Sequence, residues 1–69
     1  MDEEEYQIQI HHLKYKIAES QSIFNIALEN DEPFYILRRL LRDIQFLENE
    51  IQTIIELHEI ETLNKDPQL

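Results

Sequence analysis

One interruption organises the whole chain. From residue 3 to residue 63 the apolar residues keep a rhythm of four and three, broken only at Glu29-Asn30-Asp31-Glu32-Pro33. Glycine is absent, and the only other proline is Pro67. Without glycine there is no cheap route into the conformations that end an element or reverse it sharply, so each flanking stretch reads as one uninterrupted element. The break has the chemistry of a helix end followed by a helix start. Asn30 is expected to take the left-handed conformation that closes the first helix, a role glycine usually fills. Asp31 is expected to accept hydrogen bonds from the free amides that open the second, and Pro33 loses nothing in that first turn. Asp31 and Glu32 complement the positive end of the second helix dipole.

The rhythm on either side is helical. The first segment, about 3–29, opens with Asp2 and three glutamates and runs Tyr6, Ile10, Leu13, Ile17, Ser20, Phe24, Ala27. That is a heptad-like seam with one polar member, Ser20. The second, about 34–63, runs Leu37, Leu40, Ile44, Leu47, Ile51, Ile54, His58. Alternation of the strand type occurs only at Tyr6-Ile8-Ile10, where helical spacing explains more residues. At ~1.5 Å per residue each helix is roughly 40–45 Å long. A short link, 30–33, makes such helices antiparallel neighbours. The expected fold is all-α: a single αα-hairpin domain over 1–69, completed by dimerisation or by a partner helix, with a frayed tail at 64–69.

Size explains why completion is needed. A chain near 60 residues buries only about 60% of its unfolded surface, and small domains draw on disulfides, metals or partners. This chain of 69 residues has no cysteine, which removes disulfides and thiolate metal sites and leaves a partner. The formal net charge of −9 disfavours nucleic acid and anionic membrane surfaces. Its acidic N-terminus is unlike a signal or transit peptide, and no apolar run approaches ~18 residues. A soluble, cytoplasmic protein without membrane insertion is expected.

The charge is also segregated. Residues 1–12 sum to −4 and 44–69 to −5, whereas 13–43 balance five acids against Lys14, Lys16, Arg38, Arg39 and Arg42. In an antiparallel hairpin both acidic stretches lie at the open end, where they favour solubility and discriminate against wrong partners, or steer the chain toward a basic one. Small dimeric helical hairpins that bind RNA loops offer a nucleic-acid reading for the arginines. Local neutralisation, for example Arg39 with Asp43 at i,i+4, or the rim of a protein interface, accounts for them better.

Chemistry finds no foothold. His11 and His12 point about 100° apart on a helix, His58 falls on the second seam, and the Glu-x-x-His pairs of a helical di-metal site are missing. An antiparallel register sets His11 opposite residues near 52, away from His58. Ser20 and Ser22 lack a nucleophile elbow, and no glycine loop exists to cradle phosphate. No catalytic residue, metal or cofactor is expected, and the chain reads as a non-enzyme. Among the aromatics, Phe24 and Phe46 are expected in the core, and Phe34 and Tyr35 are candidates to cap the turn end.

The seams leave many apolar residues over, and contiguous apolar surface marks interaction sites. Off-seam residues include Ile8, Tyr15, Ile23, Ile26, Leu41 and Ile55, the candidate partner-binding set. Two ways of covering them are open: self-association into a four-helix bundle, or a different chain. In the second helix, Leu47-Glu48-Asn49-Glu50-Ile51-Gln52-Thr53-Ile54-Ile55 joins a Leu-Glu pair to apolar residues three and six to seven positions on. Together with the length, the two long helices and the polar central break, this resembles the small two-helix co-chaperones of type III secretion needle subunits of bacterial pathogens. The acidity and the arginine cluster depart from that pattern. The resemblance implies a hairpin that binds a tetratricopeptide-like chaperone through one face, the pair holding an aggregation-prone needle subunit soluble in the cytoplasm as part of virulence. The alternative is a homodimeric four-helix-bundle regulator of phage or plasmid type, or a polyanion mimic.

Overall fold

The computed structural model describes residues 2–64 and consists of α1 (Glu3–Glu29) and α2 (Phe34–Asn64). The expected tail lies, from Lys65 onward, outside the described residues. Asp2 caps α1: its side chain accepts from the Glu5 amide at 2.8 Å, and its carbonyl accepts from Tyr6 at 3.0 Å. Three glutamates follow in the first turn, where the helix dipole favours negative charge.

The turn departs from expectation in who does what. Asn30 is not left-handed, with φ −90° and ψ 7°; the positive φ falls on Asp31, at 54°. The Glu32 amide donates to the Ala27 carbonyl at 3.1 Å, and the Asp31 amide to the Leu28 carbonyl at 3.2 Å. This 6→1 and 5→2 pair is a Schellman motif with Asp31 in the place glycine usually holds. Asp31 lies two residues ahead of Pro33, which holds the capping place of α2, so Asp31 is not the cap of that helix. Pro33 takes the capping place, just before α2 as expected: its carbonyl accepts from Ile36 at 3.0 Å and Leu37 at 3.3 Å. Its missing amide proton still costs nothing there.

The helices pack antiparallel. Every member of both heptad seams is buried or half-buried, Ser20 and His58 included. Among the described residues the most buried are Ile10, Leu13, Ala27 and Ile44, and none has a side chain less than 2% exposed. Two cylinders touch along one line only, so each seam residue is covered from one side. Phe46 stands outside the core, at 64% exposed, because it sits one residue, ~100° of helix, away from Leu47 of the seam. The hairpin is a slab of 56 × 18 × 12 Å.

Candidate functional site

Apolar surface left uncovered is what this hairpin offers. For 8.4 kDa of protein a compact monomer exposes about 4,600 Å². Here the exposed area is 5673 Å², an excess on the order of the ~800 Å² that each partner loses in a standard interface.

The six sequence-chosen residues do not share one face. Ile8, Tyr15 and Ile26 lie on the outer ridge of α1, turned away from α2, and all are more than half exposed. Ile8 and Tyr15 border an open depression with Gln7, His11 and His12. All five come from one helix, so the depression cannot enclose a ligand. Ile23 is exposed on one flank of the hairpin. Leu41 is exposed on the other, where Ile55 is half-buried.

The better-formed feature is a groove between the helices near the turn. Phe24 and Leu28 of α1 and Phe34, Leu37 and Leu41 of α2 line it, with Arg38 on its rim. At about 240 Å³ it is below the ~300–1,000 Å³ of small-molecule pockets and suited to the side chains of another chain. Phe34 is 75% exposed at its turn end, so it borders the groove without closing the hairpin tip. Leu28 escaped the sequence reading. Its signal was available: in antiparallel pairs the positions after the second seam residue of each heptad flank one another, which brings together Leu28, Phe34 and Leu41.

At the opposite, open end, His58 closes the seam against α1. Its ring stacks on Tyr6, with centroids 3.7 Å apart and planes 14° apart, and its Nε2 lies 3.0 Å from Glu3 Oε1. The Gln7 side-chain amide donates to the other Glu3 oxygen at 3.0 Å. His58 thereby faces residues 3 and 6, well removed from His11 and His12. Among the described residues no group of three or more histidines and carboxylates could hold a metal ion. No helix among them is long and apolar enough to cross a membrane.

The arginines stand without the expected partner: Arg39 and Asp43 form no ion pair. Such exposed pairs are worth a few tenths of a kcal/mol, and an Arg N-terminal to its acid is the weaker order. No known protein family, curated protein or solved structure matches this chain.

Proposed function

We propose that this chain is a non-enzymatic binding module that lays an apolar face of its helical hairpin against a helical protein partner. The observation that carries the reading is the surface excess of a slab two helices thick, with twelve large apolar side chains exposed among the described residues. Covering ~600 Å² of apolar surface contributes on the order of 15 kcal/mol before the entropic cost of association. That gross figure exceeds the whole stability of so small a fold, about 3–10 kcal/mol. In its most concrete form, the module is a cytoplasmic co-chaperone. It docks on a tetratricopeptide-like chaperone, and the pair keeps a type III secretion needle subunit soluble. Residues of the candidate set supply the contact, and the acidic open end keeps the complex soluble.

Co-expression with a tetratricopeptide protein and a needle subunit encoded beside it, followed by gel filtration, tests this reading. A stable ternary complex is expected. Tyr15→Asp is the cleaner face variant, since Tyr15 is 66% exposed whereas Ile55 also supports the hairpin. Loss of the complex with Tyr15→Asp, still helical, supports contact through the outer ridge of α1, and loss with Ile55→Asp, still helical, supports contact through the flank that holds Leu41. Unchanged binding by both rejects contact through the candidate set.

A further inference from the structure

We infer that the outer face of α2 pairs with the same face of a second copy, the two α2 helices running antiparallel about a two-fold axis between residues 47 and 48. This pairing is independent of the chaperone reading and leaves the outer ridge of α1 uncovered. α2 carries a second row in the four-three rhythm, from Tyr35 to Leu63, on the side turned away from α1, and every member of it is exposed. Its apolar members stand at the two ends and the middle: Tyr35, Phe46, Ile60 and Leu63. Its charges are divided, with Arg39 and Arg42 in the first half and Glu56 in the second. Such a row fits a facing helix, and α1 serves only the first row.

The divided charge names the facing helix. About this axis Arg39 meets Glu56, Tyr35 meets Ile60, Arg42 meets Thr53 and Phe46 meets Asn49, each twice. The two Phe46 rings fall nearest the axis. Beside the row, Arg38 comes against Glu59. Among the described residues these arginines form no ion pair within their own chain. The Thr53 hydroxyl already donates to the Asn49 carbonyl at 2.9 Å, so it needs no partner across the contact. Glu32 comes opposite Leu63 and Asp43 opposite Gln52. The nearest carboxylate to Asp43 across the pair is Glu50, at the edge, one like-charge approach against two opposite-charge meetings. Glu61 lies toward α1 and Glu48 on the flank, both outside the contact. Other registers fail. A shift of one heptad sets Phe46 against Glu56 or against Arg42. Parallel pairing sets Arg39 on Arg39 and Glu56 on Glu56.

Sedimentation equilibrium of the purified chain tests this without any other protein. A dimer of twice the 8.4 kDa chain mass is expected, dissociating on dilution. Phe46→Asp should raise its Kd by about 30-fold or more while circular dichroism shows the chain still helical, as for a central interface residue. Arg39→Glu and Glu56→Arg should each raise it by about 10-fold. The double variant should return it to within about three-fold of the parent, because opposite charges meet again. Ile8→Asp, on the outer ridge of α1, should leave it unchanged. A monomer at every concentration overturns the inference. So does a dimer indifferent to Phe46→Asp, or a double charge reversal that restores nothing.

Discussion

Ile44→Ala should bring the hairpin close to unfolding, whereas the same truncation at Ile8 should pass almost unnoticed. Ile44 is the most buried of the described side chains, 5% exposed, and Ile8 is 62% exposed. Alanine removes three carbons, and at ~0.8 kcal/mol per buried CH₂ the lost transfer free energy is about 2.4 kcal/mol. A cavity term adds little, because a seam between two helices is open along both edges and its neighbours can move in. The expected loss is therefore about 2–3 kcal/mol, toward the low end of the ~2–5 kcal/mol seen for such truncations. At ~0.05–0.15 kcal/mol per residue, a chain of this size has only about 3–10 kcal/mol in all. For a domain this small each kcal/mol moves the midpoint by ~4–8 °C, so Tm should fall by about 10–20 °C. Far-UV circular dichroism melts measure it, at one fixed protein concentration, since association shifts Tm by mass action. Ile8→Ala should stay within about 0.5 kcal/mol of the parent. A fall of less than about 3 °C for Ile44→Ala, or equal falls for both variants, would refute the claim that one seam holds the helices together.

The termini of the helices give further tests. Asp31→Gly relieves a left-handed residue, worth ~1–2 kcal/mol, at an unfolded-state entropy cost of ~0.4–1 kcal/mol, and should raise the urea midpoint. Asp31→Val should lower it; similar midpoints for the two would contradict the Schellman closure. Asp2→Ala removes the cap on the Glu5 amide and should cost about 1 kcal/mol, read as faster amide exchange in the first turn of α1 alone. His58→Ala removes the Tyr6 stack and the Glu3 contact. It should cost about 0.5–1.5 kcal/mol and speed exchange at the open end, with amides beside the turn unchanged.

Much of the fold was legible because its causes are local or periodic. The seam repeats every seven residues, so its members follow from spacing, and Ser20 and His58 fall on it despite their polarity. The break announces itself by composition. Inside the break the reading failed at Asn30 and Asp31 together. Both suit a helix end, and the choice depends on how the chain leaves α1 to reach the packed position of α2. The cap of α2 is Pro33, two residues on from Asp31. Phe46 failed for a different reason: hydrophobicity alone draws a large aromatic inward, but one residue of offset from Leu47 turns it to solvent. The site was less legible than the fold. Ile8, Tyr15, Ile23, Ile26, Leu41 and Ile55 share the property of lying off the seam, yet off-seam residues point in several directions.

What the sequence determined by itself is the pair of helices, their single link and the faces they turn toward each other, since heptad spacing and a glycine-free chain leave few other options. It also determined where charge collects, because an antiparallel hairpin returns the second acidic stretch to the first. Tertiary structure decided which leftover apolar residues become neighbours. Heptad position puts Leu28 and Phe34 on the same flank, but they meet in one groove only once the two helices are set in register. Register is a property of the packed pair, and no single helix encodes it.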